Sequence, residues 1–171
     1  MILDLREFEE FPAQVVLVAG ANEIDARDDR VVRIEGVSAE LAIQKAAQEF
    51  FCQGRVKARV VLECARCLTP FEVEFTEATD FIVCSETSAE EREAFDDEDY
   101  VYFQGNDLQV DIVEPVRQAV LLALPLKPLC DEACRGLCPH CGMNLNEGSC
   151  SCVAEADDTR WETLKSLFPK K

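Results

Sequence analysis

Eight of the ten cysteines in this chain occur in closely spaced pairs, and this spacing constrains the fold more than any other feature. Cys64 and Cys67 are separated by two residues, and six more cysteines follow between residues 130 and 152. A short gap lets a tight turn direct two thiolates at one ion, and two such pairs complete a tetrahedral sulfur site for zinc. The spacing therefore predicts about two structural zinc ions, with the ligands Cys64, Cys67, Cys130, Cys134, Cys138, Cys141, Cys150 and Cys152.

The last four of these cysteines span only residues 138–152, with asparagines and a glycine to turn the loop between them. They can therefore form a self-contained site. Cys64 and Cys67 would then share the other ion with Cys130 and Cys134, which would clip the β-rich part of the chain to the segment after its helix. The spacing leaves open which cysteines share an ion, and whether one ion or two are bound. The two remaining cysteines, Cys52 and Cys84, lie in predicted strands and are expected to be core thiols.

Catalytic uses of these cysteines do not fit their context. A thioredoxin-type pair lies where a strand runs into a helix, whereas Cys64 and Cys67 are followed by Thr69-Pro70 and another strand pattern, which indicates a hairpin turn. A zinc deaminase needs a His-x-Glu unit, and the single histidine, His140, is followed by cysteine. No phosphate-binding loop or nucleophile elbow is present either. We therefore expect a protein that is not an enzyme, with no catalytic residues.

The charge of the chain limits its partners. Lys and Arg number 17 against 34 Asp and Glu, so the formal net charge is −17. Such a chain is not suited to wrapping DNA or coating an anionic membrane, and it favours a basic partner. The first residues lack the pattern of a signal peptide, and the longest apolar runs are far too short to span a membrane. We expect a soluble, cytoplasmic protein whose thiols are reduced or bound to metal.

The hydrophobic pattern predicts an α+β fold that is rich in β-strands. Residues 14–84 contain several strand-like alternations, of which residues 55–62 are the clearest, with apolar side chains on one face and cations on the other. Residues 37–51 fit either a helix or a strand and hairpin, and we favour the strand because its neighbours are strands. Residues 100–110 indicate a return strand with a turn at Gly105-Asn106-Asp107. A helix is predicted at about 112–124, with Asp111 and Glu114 as a capping box and Pro125 as its end.

We therefore expect an antiparallel sheet or partly open barrel with one packed helix, a cysteine-rich zinc-binding segment and a short C-terminal helix. The predicted parts are a β-rich domain over residues 1–129, the zinc-binding segment over 130–152 and a tail over 153–171. Residues 86–99 carry eight acids and one arginine, which is typical of a solvated loop. In the tail, Asp158 can cap a helix that has Trp161, Leu164 and Phe168 on one face.

Several motifs together resemble the YceD family of bacterial proteins. The segment 62–71 (LECARCLTPF) is similar to the Cys-x-Arg-Cys-Leu-x-Pro-Phe signature of that family, and residues 110–112 with 121–130 resemble its next block. Residues 134–146 with Cys150-Ser-Cys152 resemble the cysteine-rich block found in many members. The tail residues 158–161 are similar to an Asp-Pro-Arg-Trp element, with Thr159 in place of the proline. The resemblance covers roughly residues 55–168, while the first fifty residues match only in general character.

The resemblance implies a role in ribosome biogenesis. The family is associated with accumulation of large-subunit (23S) ribosomal RNA, and its genes commonly neighbour that of a small, basic zinc-ribbon ribosomal protein. Not all members keep the cysteines, which implies that the metal is structural. We expect binding to a basic large-subunit ribosomal protein. The alternative is direct binding of ribosomal RNA by a zinc module, through Arg55, Lys57, Arg59, Arg66 and Arg135.

Overall fold

A twisted sheet built from three long strands forms the body of the protein. The computed structural model describes residues 1–20, 23–25, 28–85, 100–104 and 107–152. Within them the elements are β1 (Ile2–Asp4), a 3₁₀ turn (Leu5–Glu7), β2 (Ala13–Ala19), β3 (Val31–Ala46), β4 (Glu49–Glu63), β5 (Pro70–Ser85), β6 (Tyr100–Phe103), β7 (Gln109–Asp111) and α1 (Val113–Ala123). The main sheet has the order β2-β3-β4-β5-β6, and β1 pairs separately with β7.

The alternation of side chains in β4 determines which face of the sheet is buried. Val56, Ala58, Val60 and Leu62 are fully buried, whereas the cations between them are exposed, as the sequence predicts. The ambiguous segment 37–51 is the strand and hairpin that we favoured, because pairing with strands on both sides outweighs its helix-forming composition. The chain turns at residues 47–48, and Ala47 has a positive φ of 56° there.

Helix α1 covers part of the apolar face of the sheet. It packs on β4 and β5 through Val116, Ala119 and Val120, all of which are buried. The predicted capping box was wrong in detail. Asp111 does accept a hydrogen bond from the Val113 backbone N–H at 3.0 Å, but Glu114 pairs with Arg117, whose Nε lies 2.8 Å from its carboxylate. The glutamate thus stabilises the helix through an i,i+3 pair rather than by reaching back to the cap.

The predicted return strand over residues 100–110 was also wrong in detail, since the strands before and after the predicted turn belong to different sheets. β6 runs parallel to β5, with Ile82 opposite Tyr100, and β7 is antiparallel to β1. A parallel pair needs a connection of a dozen or more residues. The 14 residues numbered 86–99 provide that length between the two strands.

The expected fold class is confirmed: the described residues form a mostly antiparallel sheet with one packed helix. They do not form a closed barrel, because β2 and β6 lie at opposite edges of the sheet. The acidic segment 86–99 and the predicted C-terminal helix lie outside the described residues. In the part of the chain that is described, no helix has the length and apolar character required to cross a bilayer.

Candidate metal centres

The turn between β4 and β5 presents the first cysteine pair. The Leu68 backbone N–H donates to the carbonyl of Cys64 at 2.9 Å, and the Cys64 N–H donates to the carbonyl of Thr69 at 3.1 Å. Leu68 has a positive φ of 59°, which closes the turn. Cys64 and Cys67 therefore occupy a hairpin turn, as expected, and not the start of a helix.

The segment after α1 docks on this turn through its backbone. The Ala65 N–H donates to the carbonyl of Pro128 at 2.8 Å, and the Leu137 N–H donates to the carbonyl of Arg66 at 3.2 Å. Gly136 has a φ of 74°, and a Cβ at this position would lie only 3.0 Å from the Arg66 carbonyl oxygen. A glycine is thus required both for the backbone conformation and for the close approach.

This docking brings together four sulfurs that are distant in sequence. The Sγ atoms of Cys64, Cys67, Cys130 and Cys134, which we call the hairpin group, all lie within 4.8 Å of one another. The Cys64–Cys134 distance is 3.8 Å and the Cys67–Cys130 distance is 3.6 Å. Four thiolates at about 2.3 Å from a tetrahedral zinc ion are separated by about 3.8 Å. The arrangement therefore fits a metal ion of this size.

The other four paired cysteines form a second cluster. The Sγ atoms of Cys138, Cys141, Cys150 and Cys152, which we call the knuckle group, also lie within 4.8 Å of one another. The Gly142 N–H donates to the carbonyl of Cys138 at 2.9 Å, and the Cys138 N–H donates to the carbonyl of Met143 at 2.8 Å. Gly142 adopts a φ of 71°, as the reversal after the second cysteine requires. The structure thus brings the eight cysteines together in the partition that the spacing suggested.

The two groups differ in their exposure to solvent. In the hairpin group only Cys130 is exposed, and the other three cysteines are buried beside Phe71, Leu129 and Leu137. In the knuckle group only Cys138 is buried, whereas Cys141 and Cys152 are exposed. The hairpin group is therefore the better protected from water and from competing ligands.

Each group contains thiols whose pKa values move in opposite directions. Burial raises the pKa of Cys64, but the N–H groups of Cys130, Cys67 and Arg66 around its sulfur outweigh burial and lower the value to about 6. The pKa of Cys130 is raised to about 12, chiefly by its hydrogen bond with Cys67.

The knuckle group repeats this pattern. The N–H groups of Cys141 and His140 lower the pKa of Cys138 to about 6, and a hydrogen bond with Cys141 raises that of Cys152 to about 12. Four sulfurs this close together cannot all ionise unless a cation lies between them. The donor set in each group therefore suits a soft divalent ion.

Two side chains outside the cysteine pattern hold the clusters in place. The Arg66 guanidinium donates to the backbone carbonyls of Glu132 and Cys134 at 3.0 and 2.9 Å, and so holds the loop that carries two ligands. Asn146 lies in the loop of the knuckle group, yet its Nδ2 donates to the Cys134 Sγ of the hairpin group at 3.3 Å. From the sequence, Arg66 is a candidate cation only in the RNA alternative, and Asn146 is one of the asparagines expected to turn the loop. Neither role reveals these contacts, because both depend on docking between distant segments.

The two remaining cysteines belong to the core of the sheet, as expected. Cys52 and Cys84 are almost completely buried and lie outside both clusters. Burial raises the pKa of the Cys52 thiol to about 12, so this side chain remains neutral.

Both clusters lie inside a segment that matches a known family. Residues 52–168 match the family model described as "Large ribosomal RNA subunit accumulation protein YceD". The chain belongs to the YceD family. The resemblance seen in the cysteine and proline motifs is therefore confirmed, and the family name describes accumulation of ribosomal RNA rather than an enzymatic activity.

Curated relatives extend this similarity over nearly the whole chain. An uncharacterized protein of Mycobacterium tuberculosis is 31% identical over 168 residues, which are 98% of this chain and 74% of the relative. The chloroplastic large ribosomal RNA subunit accumulation protein YCED homolog 1 of Arabidopsis thaliana is 36% identical over 70 residues, which are 41% of this chain and 22% of the relative. No solved structure matches the chain.

Proposed function

We propose that this member of the YceD family is a non-enzymatic ribosome biogenesis factor that binds a basic ribosomal protein of the large subunit. In this role it would support the synthesis, processing or stability of 23S ribosomal RNA. The observation that carries the proposal is the formal net charge of −17 in a protein of a family named for ribosomal RNA accumulation. An acidic protein attracts cationic proteins over long distances and repels a phosphate backbone.

The contacts of the exposed cations favour a protein partner over RNA. Lys57 Nζ lies 3.0 Å from a carboxylate oxygen of Glu74, and the Arg59 guanidinium lies 3.4 Å from Glu74 and 3.6 Å from Glu72. Arg66 donates to backbone carbonyls. Three of the five cations that the RNA alternative invokes are therefore already engaged, so phosphate groups would have to compete with these partners.

We further propose that the hairpin group and the knuckle group each hold one structural zinc ion. Four thiolates fill a tetrahedral site and leave no position for water or substrate, so the ions serve folding rather than catalysis. Each four-thiolate zinc site carries a charge of about −2, which makes the protein still more acidic. The ions thus support the attraction of a basic partner while they hold the cysteine-rich segment on the hairpin.

The role of Arg66 gives a prediction for the hairpin group. In an Arg66→Ala variant, the loop with Cys130 and Cys134 loses two hydrogen bonds, and we expect one of two zinc ions to bind about 10–100-fold more weakly. The measurement is competition for zinc with a chelating dye. Arg59→Ala, which removes an exposed cation of the sheet, serves as the control and should leave both affinities unchanged. Equal zinc affinities in both variants and the wild type would exclude this role for Arg66.

The proposed function is tested by binding measurements at two salt concentrations. Purified protein is titrated with basic large-subunit ribosomal proteins and with fragments of 23S ribosomal RNA, at about 50 and 200 mM salt. We expect the protein partner to bind more tightly than RNA, and its affinity to fall with salt. Replacing the eight acids of residues 86–99 by serine should weaken this binding.

A triple variant of β4 tests the alternative of direct RNA binding. Replacing Arg55, Lys57 and Arg59 by alanine removes the exposed cations of β4 and should leave binding of the basic protein intact. RNA binding that is tighter than protein binding, and that this triple variant abolishes, would contradict the proposal and support the alternative.

A further inference from the structure

Within the described residues, one edge of the main sheet is apolar and has no strand beside it. β2 lies at the end of the strand order, so within the described residues no strand pairs with its outer side. Its sequence, AQVVLVA, contains no charge and no proline. Soluble proteins usually protect such edges with lysine, proline, bulges or a covering segment, because an exposed apolar edge strand is a template for pairing.

Both faces of this edge offer apolar contacts. Val16 and Val18 are 62% and 74% exposed on the outer face of the sheet. On the other face, Val15 and Leu17 pack against the core but are only half-buried. A strand added beside β2 would place its own side chains next to these four and reduce their exposure.

Exposed acidic side chains precede and follow β2 in the chain. Residues 1–30, which contain β2, include eight acids and three arginines, and all of these charges lie outside the strand itself. Glu9 and Glu10 are exposed just before β2, and Glu23 is exposed just after it. An uncharged strand between acidic ends is complementary to a segment with an apolar centre and basic flanks.

We propose that the edge of β2 binds an extended segment of a cationic protein, which adds to the sheet as a sixth strand. Backbone hydrogen bonds would supply affinity, and the valines of β2 together with the flanking acids would supply selectivity. This inference rests on the proposed function and adds to it the surface that the basic partner occupies. A second copy of this chain is a poorer occupant, because two molecules of charge −17 repel each other.

A synthetic peptide tests the backbone pairing directly. The probe has about nine residues, with valine and threonine alternating between two pairs of lysines. Two further versions carry N-methyl groups on one or the other set of alternate amides, which removes the N–H donors from one edge of the peptide. We expect one version to lose at least about tenfold in affinity for the wild-type protein and the other to bind like the parent. If both versions bind like the parent peptide, or if the parent does not bind, strand addition is excluded.

Variants of the protein test the location. Val16→Lys combined with Val18→Lys should weaken binding of the peptide and of a basic ribosomal protein at least about tenfold, because the lysines repel cations and remove apolar surface. The matched control is Leu122→Lys combined with Leu126→Lys. It adds the same two positive charges away from β2, at leucines that are 81% and 96% exposed. Thermal unfolding verifies that both variants fold.

The outcomes separate this inference from the proposed function. A β2 variant that binds the basic protein as the wild type does would overturn the edge as the docking surface and leave the proposed function standing. A wild-type protein that binds no cationic protein would overturn both. A wild-type dimer in sedimentation that the β2 variant dissociates would show that a second copy occupies the edge, which also overturns the inference.

Discussion

Replacing Cys138 by serine should leave the protein with about one bound zinc ion instead of two. Cys138 is the buried member of the knuckle group, and its sulfur accepts hydrogen bonds from the backbone N–H groups of Cys141 and His140. A serine hydroxyl is a poor replacement for a thiolate, and three remaining cysteines hold zinc far more weakly. Cys64→Ser should also remove one ion, but from the hairpin group. Metal analysis of protein that is kept reduced throughout gives the zinc content of each variant.

Cys138→Ser and Cys64→Ser should each lose structure in a different segment of the chain. Within residues 130–152, the buried positions are Cys134, Gly136 and Cys138, so the segment has almost no hydrophobic core. The proposed zinc sites therefore predict that its order comes largely from metal binding, which in small zinc sites supplies about 10–16 kcal/mol. We expect amide hydrogens of residues 138–152 to exchange rapidly in Cys138→Ser, while the sheet and the docked residues 128–137 stay protected. In Cys64→Ser, protection should be lost around residues 128–137.

Exposure predicts the order in which a chelator removes the ions. Cys141 and Cys152 are exposed, whereas three ligands of the hairpin group are buried, so the knuckle ion should leave first. Cys52→Ala is the control, because Cys52 is a buried cysteine outside both groups and its loss should leave two ions bound. Reduced wild-type protein without zinc would refute the proposed sites. If the wild type holds a single ion, one group is not a metal site. It is the group whose cysteine variant leaves the zinc content unchanged.

Gly54→Ala should lower the free energy of unfolding by about 3 kcal/mol. Gly54 lies opposite Leu41 in the pair formed by β3 and β4. A Cβ at this position would overlap the carbonyl oxygen of Glu40 and would lie 2.9 Å from the Leu41 Cα. Both are backbone atoms within the central strand pair, so only a shift of the strands can relieve the overlap. Urea unfolding followed by circular dichroism measures the change.

Gly36→Ala is the matched control for this prediction. Gly36 lies in β3 of the same sheet, but a Cβ there meets no atom within 4 Å. We expect its stability to stay within about 1 kcal/mol of the wild type, since the added methyl group only reduces the freedom of the unfolded chain. If the two substitutions change the free energy of unfolding equally, the strands at Gly54 can accommodate a methyl group, and the prediction is wrong.

The sequence by itself was sufficient for the features that depend on local periodicity. Alternating side chains over residues 55–62 identified β4 and its buried face, and the apolar stripe of α1 identified the helix within one residue at each end. Short cysteine gaps likewise identified the hairpin turn and the knuckle. Side-chain directions repeat every two residues in a strand and every 3.6 residues in a helix. The spacing of apolar residues therefore indicates both the type of element and its buried face.

Features that join distant segments were decided only by the tertiary structure. The parallel pairing of β6 with β5 and the separate pairing of β7 with β1 depend on where the chain returns, which no local pattern encodes. The spacing suggested the hairpin group, but its assembly depends on docking of the Gly136 region on the Arg66 carbonyl across about 70 residues. The sequence alone left Arg66 available to RNA in the alternative hypothesis. Its guanidinium can donate to the carbonyls of Glu132 and Cys134 only when the segment after α1 docks on the hairpin. A side chain's role is set by the groups that folding brings to it, and those groups lie outside its local sequence.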